Sequence, residues 1–336
     1  MATLSEIAAQ AGVSEATVSR VLNDKAGVSS ATKQAVMSAL DVLGYERPAK
    51  LRRRSAGLVG LVVPELENPI FPAFAQVIED ALAARRYTPV LCTQSPGGIS
   101  EDEYVSSLLD HGVAGIIFVS GRHADASADH ERYHSLVNRG MPVVFVNGYL
   151  DDLKAPYVST DDREAVELAL NHLVQLGHRR IGHVVGPSRF MPAARKRLAF
   201  VEGMRAHFGL SRAEAESWIE DALFTIEGGA AATRRLLERD VTAVVCASDM
   251  MALGAIRAVR EAGLAVPDDV SVIGFDDSSL LQFVDPPLTT VRQPVQAMAT
   301  AAVSFLIDAI EGQPVPRHEY IFRPELVLRS STARAQ

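Results

Sequence analysis

The sequence is short of the residues that would place it in an oxidising compartment or a membrane. It has two cysteines in 336 residues, Cys92 and Cys246. They lie far apart in apolar surroundings, so buried free thiols are expected rather than a disulfide or a metal site. No apolar run reaches 18 residues, and the N-terminus lacks a basic-then-apolar leader. No membrane association is expected, and a cytoplasmic location is. Enzyme signatures are missing as well: there is no P-loop, no GxGxxG after a strand, no GxSxG and no HExxH. His172, His178 and His183 are not spaced as metal ligands. A non-enzyme without cofactor or metal is therefore expected. Aromatic residues are sparse at 6%, with one tryptophan, Trp218, for which packing is the expected role and stacking on a sugar the alternative.

What is present is ordinary globular composition, 48% hydrophobic and 22% charged, in a chain long enough for two or three domains. The net charge of -8 is unevenly spread. Residues 1–60 carry eight Lys/Arg (Arg20, Lys25, Lys33, Arg47, Lys50, Arg52, Arg53, Arg54) against five Asp/Glu, which leaves the head basic by three charges and the remainder acidic by eleven. A basic head on an acidic body confines phosphate attraction to one end.

That head reads as three short helices. Thr3 with Glu6 forms a capping box, and Leu4, Ile7, Ala8 and Ala11 then share one apolar face. Gly12 permits a sharp turn. Ser14 caps a second helix whose Val18, Val21 and Leu22 face the first. A third helix runs from Ser29 or Ser30 to Leu43 and is stopped by Gly44. Two helices joined by a glycine-containing turn form the motif whose second helix enters the DNA major groove. Ser14, Thr17, Ser19 and Asn23 are short polar groups suited to phosphate oxygens, and Ser29 is grouped with them. Glu15, Ala16 and Arg20 point toward base edges.

The stretch TLSEIAAQAGVSEATVSRVLN resembles the DNA-reading segment of the lactose/galactose repressor (LacI/GalR) family, and VSSATKQAVMSALDVLGY resembles its third helix. The resemblance implies a helix-turn-helix headpiece over 1–46 and a hinge linker over 47–57. Leu51 would be wedged into the minor groove, although the proline here lies later than in the family pattern and the linker is shorter.

From Leu58 onward, strands alternate with helices. The apolar runs GLVGLVVP, YTPVLCTQ, VAGIIFVS, MPVVFVN, RIGHVVG, VTAVVCAS and VSVIGFD suit central strands of parallel sheets covered on both faces. Amphipathic helices lie between them, at Phe74–Arg85, Arg163–Leu176, Met191–Phe208, Gly229–Glu238 and Met251–Ala262. This pattern predicts doubly wound α/β architecture, with ligands beyond the strand C-termini. The resemblance continues through VVPELENPIFPAFAQVIEDAL, GVAGIIFVS, HLVQLGHRRIGHVVG, SDMMALGAIRAVREAGLAVPDDVSVIGFDDS and PPLTTVRQP. It implies an effector-binding and dimerisation domain over 58–336, made of two parallel-sheet subdomains like those of periplasmic sugar-binding proteins. The first would take 58–158 and 289–317, and the second 159–288 and 318–336. Only Ala333 to Gln336 follow the last strand-like stretch, so a homodimer is expected rather than the family's tetramer.

Hydroxylated ligands require carboxylates, amides, basic groups and an aromatic face. Asn147, Asp249, Asp276 and Asp277 follow predicted strands, a position that turns and helix caps also favour. By resemblance Asp276 is an effector contact, Ile70 and Phe71 match contact positions on the first helix, and Phe224 matches an aromatic packing on the ligand. The family places an arginine four residues before the aromatic of its GPxxxxxxxR stretch. Here Lys196 has that spacing from Phe200, with Arg195 and Arg197 beside it, so the basic contact is open among the three. The expected function is a repressor that binds a pseudo-palindromic double-stranded DNA operator under control of a small sugar or oligosaccharide. The alternative is an activator or corepressor-dependent regulator of the same fold.

Overall fold

The computed structural model describes residues 3–23, 25, 27–44, 55–94 and 98–336. They fall into two compact units, Met1–Ala56 and Gly57–Gln336. Leu51 and most of the expected linker lie outside the described residues.

The first unit contains α1 (Leu4–Ala11), α2 (Glu15–Leu22) and α3 (Ser30–Val42). Helices of eight residues are unstable alone, so caps and a shared core hold them. Thr3 accepts from the Glu6 N–H at 3.3 Å while the Glu6 carboxylate accepts from the Thr3 N–H at 2.6 Å. Gly12, at φ +65, turns the chain. Ser14 accepts from the Thr17 N–H at 3.2 Å, and Ser29 from that of Thr32 at 3.1 Å. Each such cap contributes about 0.5–2 kcal/mol. Ile7, Val18, Val21, Leu22, Val36 and Leu40 bury their side chains together.

The second unit holds two six-stranded sheets. The first comprises β1 (Gly57–Val63), β2 (Tyr87–Thr93), β3 (Gly115–Val119), β4 (Val143–Val146), β5 (Tyr157–Thr160) and β11 (Glu319–Phe322), in the order β11-β5-β4-β3-β1-β2, all parallel. Its strands β1, β3 and β4 are nearly or fully buried, as expected of strands covered on both faces. Helices α4 (Ile70–Ala84) and α12 (Val295–Ile310) cover one face, and α5 (Glu101–Asp110) and α6 (Glu131–Asn138) the other. The second sheet comprises β6 (Ile181–Val185), β7 (Ile219–Asp221), β8 (Ala243–Cys246), β9 (Ser271–Asp276), β10 (Thr289–Arg292) and β12 (Glu325–Val327), in the order β12-β10-β9-β8-β6-β7. Only the β10–β12 pair is antiparallel. Helices α7 (Asp162–Gln175), α8 (Met191–Phe208), the short α9 (Arg212–Glu216), α10 (Ile226–Leu237) and α11 (Asp249–Glu261) pack on it.

The chain passes between the sheets three times, and each crossing lies later than the sequence suggested. Residues 159 and 160 stay in β5. Thr289–Arg292, expected in the first subdomain, pairs with β9 and β12 of the second sheet. Residues 319–322, expected in the second, pair with β5 of the first. These strands are only four residues long, and in two of them Thr160, Thr289 and Thr290 break the apolar pattern. The Thr289 and Thr290 side chains are fully buried because their hydroxyls are bonded internally, Thr290 to Asp249 at 2.6 Å and Thr289 to the Arg329 N–H at 2.9 Å.

Two helices start earlier than their apolar pattern implied. Helix α4 begins at Ile70, ahead of Pro72, because a first-turn residue has no intrahelical partner for the N–H that proline lacks. Helix α10 begins at Ile226 and carries two glycines in its first turns. A Cβ on Gly229 would lie 2.2 Å from the Met251 carbonyl, and one on Gly254 2.0 Å from that of Ile226. Glycine here lets α10 and α11 touch backbone to backbone, which offsets its poor helix propensity.

Candidate functional site: a cleft between two sheets

The C-terminal ends of both sheets face a cavity of about 260 Å³. Pro64, Ser120 and Asn147 follow β1, β3 and β4, and Ala247, Ser248 and Asp276 lie at the ends of β8 and β9. Ile70 and Phe71 enter from the start of α4, and Lys196 from α8. Phe190 and Phe224 complete an aromatic wall with Phe71. The Phe224 ring closes over Gly186, where a Cβ would sit 2.0 Å from the ring.

Among the described residues, six that are not glycine have φ in the left-handed region, and Ser120, Asn147 and Asp276 of these line the cavity. Such backbone costs on the order of 1–3 kcal/mol per residue and persists where surrounding structure holds it. For Asn147 and Asp276 the bonding around Gln293 does so. Its amide donates to Asp276 at 2.7 Å, and its carbonyl oxygen accepts from Thr160 at 2.8 Å and from Asn147 at 3.2 Å. Gln293 follows directly on β10 and so ties an acid of the second sheet to two side chains of the first.

The electrostatics follow from burial. Asp276 is held well above the usual carboxylate range, first by burial and then by the nearby Asp249 carboxyl. Burial likewise pushes Asp249 up to about 7, against hydrogen bonds from Thr290 and Ser278 that favour its charge. Lys196 donates to the Asp162 carboxylate, both side chains being almost wholly buried, and its ammonium lies 3.9 Å from the centre of the Phe275 ring. Burial raises Asp162, and Lys196 opposes that shift. A cavity with paired charges, amides, hydroxyls and aromatic faces suits a small polyhydroxylated ligand.

Residues 3–48 match the sequence profile of bacterial regulatory proteins of the lacI family, and residues 170–332 that of a periplasmic binding protein-like domain. The chain is 61% identical over 334 residues to the HTH-type transcriptional regulator reg1 of Streptomyces lividans, covering 99% of this chain and 97% of the other. It is 60% identical over 333 residues to the HTH-type transcriptional regulator MalR of Streptomyces coelicolor, with the same coverage. This chain belongs to the lacI family of bacterial transcriptional regulators. Among solved structures, a transcriptional regulator CelR–cellobiose complex matches with TM-score 0.70 at 32% identity, over 98% of this chain and 100% of that one. A lac repressor dimer bound to operator and the anti-inducer ONPF matches with TM-score 0.70 at 26% identity, over 99% of each chain.

Six of the eight residues expected at the regulator's effector site line the cavity: Ile70, Phe71, Asn147, Lys196, Phe224 and Asp276. The other two do not. Arg195 turns away and holds Glu319 with two bonds of 2.7 and 2.8 Å. Asp249 lies behind Asp276, at the start of α11, where Thr290 and the Ser278 N–H bind it. Of the three basic candidates, Lys196 therefore faces the cleft, while Arg197 pairs with Asp221 at 3.0 Å. The sequence reading missed Gln293, Asp162 and Phe190. Gln293 was within the quoted stretch PPLTTVRQP, and Asp162 was hidden as one of two adjacent acids at a helix start. Trp218 packs on the core of the second sheet.

In the headpiece, Glu15, Ala16 and Arg20 are exposed on α2, as are Ser14 and Asn23 at its two ends. Thr17 and Ser19 are half-buried. Ser14 and Thr17 share a hydrogen bond of 2.9 Å, and Asn23 donates to the Ser19 carbonyl at 2.8 Å. Ser29 is exposed at the cap of α3. Among the described residues no helix is long and apolar enough to cross a membrane, and no cluster of potential metal ligands occurs.

Proposed function

We propose that this regulator is a repressor whose operator affinity is set by a small carbohydrate bound in the cleft between its two sheets. The observation that carries the reading is the link from Asp276 through Gln293 to Asn147 and Thr160 at the cavity, because a ligand bonding those groups engages both subdomains at once. The named cellobiose complex and operator-bound dimer among similar structures support it. The partner is double-stranded DNA with a pseudo-palindromic operator, since a homodimer reads two-fold sites. Ser14, Thr17, Ser19, Asn23 and Ser29 contact phosphates, Glu15, Ala16 and Arg20 read bases, and Leu51 is the minor-groove wedge. Such a protein works in the cytoplasm and performs no catalysis.

A sugar that fits one cleft geometry better than another shifts the balance between them. The resulting coupling to DNA is typically about 1–3 kcal/mol, or roughly 5–150-fold in affinity, and is reciprocal. The test begins with selection of operators from random DNA, followed by affinity measurements with and without mono- and disaccharides. Sugar is expected to weaken operator binding, and Asp276→Asn to keep operator binding while losing that response. Sugar that tightens binding would instead establish a corepressor mechanism.

A further inference from the structure

We propose that Asp162 makes the cleft selective for uncharged sugars, because it occupies the ammonium of Lys196 that an anionic ligand would need. The inference rests on the reading of the cleft as a carbohydrate effector site. Lys196 is the only basic side chain among the residues lining the cavity, against three acids, Glu65, Asp162 and Asp276. Its ammonium is already bonded to Asp162 in a pair that is about 5% exposed. Arg189, Arg195 and Arg197, next to lining residues in the sequence, are also paired, though in more exposed settings, with Asp125 at 3.1 Å, Glu319 at 2.7 Å and Asp221 at 3.0 Å. A phosphorylated or acidic sugar entering the cleft therefore meets carboxyl groups and no unclaimed cation. Its charge would share an ammonium that Asp162 already balances, leaving one negative charge in the buried site uncompensated. Specificity of this kind comes from the penalty against the wrong ligand.

A neutral sugar meets no such penalty. The Lys196 ammonium has three protons and gives one to Asp162, so it can still donate to a hydroxyl. Hydroxyls can also donate to Asp162 or Asp276 without adding charge. The rings of Phe71, Phe190 and Phe224 accommodate the apolar faces of sugar rings. Asp162 is thus a specificity-determining residue through its hold on Lys196.

The test is calorimetric titration of the full-length protein with maltose and cellobiose and with the 6′-phosphate of each. The unmodified protein should prefer the neutral member of a pair by roughly tenfold or more. Asp162→Asn should bring the phosphorylated sugar closer by roughly the same factor, and that gain should shrink as salt is added. The double substitution Asp162→Asn with Lys196→Gln should restore the preference, since the freed cation is then gone. Asp162→Ser, which also leaves the ammonium unpaired, serves if the first variant does not fold. Equal binding of neutral and phosphorylated sugars by the unmodified protein would overturn the inference. So would an unchanged preference in a folded Asp162 variant. Both outcomes leave the effector reading intact, whereas failure of every sugar to bind would remove that reading and this inference with it.

Discussion

Replacing Gln293 with leucine tests whether the link between the two sheets is a structural necessity of the cleft. The substitution keeps most of the volume but removes one donor and one acceptor. Asp276 then loses a 2.7 Å donor, Thr160 a 2.8 Å acceptor and Asn147 a 3.2 Å acceptor. Asp276 and Thr160 are almost fully buried, while Asn147 is half-exposed. A stranded buried polar group costs about 1–3 kcal/mol, so two of them set a range of about 2–6 kcal/mol. Water in the adjoining cavity can re-pair part of what is lost, which narrows the expectation to about 2–4 kcal/mol. For a unit of this size that corresponds to a fall in Tm of about 3–7 °C. Trp218, the only tryptophan, sits in the second unit, so its fluorescence follows this unfolding while the headpiece stays silent. Gln293→Glu is the companion variant. It replaces the amide donor facing Asp276 by a second carboxyl in a buried site, so it should destabilise more as pH rises and the introduced carboxyl ionises. A loss below about 1 kcal/mol for Gln293→Leu, with Gln293→Glu insensitive to pH, would refute the assignment of Gln293 as the link.

Three further outcomes are expected. Arg20→Ala should abolish preference at one base position per half-site, about 1–3 kcal/mol of discrimination, and a selection experiment returning the same base preference would show that α2 docks otherwise. Gly186→Ala should push the Phe224 ring into the cavity and weaken sugar binding at least tenfold with operator binding retained, because the added Cβ lies 2.0 Å from that ring. An unchanged titration would mean that Phe224 moves freely. Asp249 holds its proton up to about pH 7 in the folded state against an ordinary 3.8. A raised carboxyl contributes stability that is full below about pH 4 and lost as pH rises toward 7, at no more than about 1.4 kcal/mol per pH unit. The Tm of Asp249→Asn relative to the unmodified protein should therefore climb between pH 4 and 7 and level off above, and a flat difference would show Asp249 ionised throughout.

Much of this architecture was legible because two signals were strong. The headpiece announces itself through side chains that can only act locally: Thr3, Ser14 and Ser29 each bond an N–H three residues on. Likewise, the central strands are apolar runs, since β1, β3, β4, β6, β8 and β9 must be dry on both faces. The crossover strands β5 and β10 carry no such run. Tyr157–Thr160 and Thr289–Arg292 contain buried hydroxyls, and their burial becomes visible only once Asp249, Gln293 and Arg329 are seen to bind them. The placement of Arg195 failed for a related reason. The family's spacing implied a basic contact but left it open among three adjacent residues, and Glu319, distant in sequence, takes Arg195.

The misplaced crossings and the missed site residues have one physical origin. Each passage of the chain between the sheets happens at the cleft, so the residues flanking it serve both connection and lining. Thr160 ends β5 and bonds Gln293, and Asp162, two residues on, opens α7 and holds Lys196. Gln293 leaves β10 and meets Asp276. Phe322 ends β11, and its carbonyl accepts from the Asp161 N–H at 2.8 Å, tying the third crossing to the first. A change in angle between the sheets must pass through these few residues, and two of them, Asp162 and Gln293, line the cavity. On the proposed function, binding in the cleft would therefore be coupled to that angle through chain connectivity. Polar, non-periodic residues at a crossing are what a sequence pattern leaves blank, and here they are where the chemistry of control is concentrated.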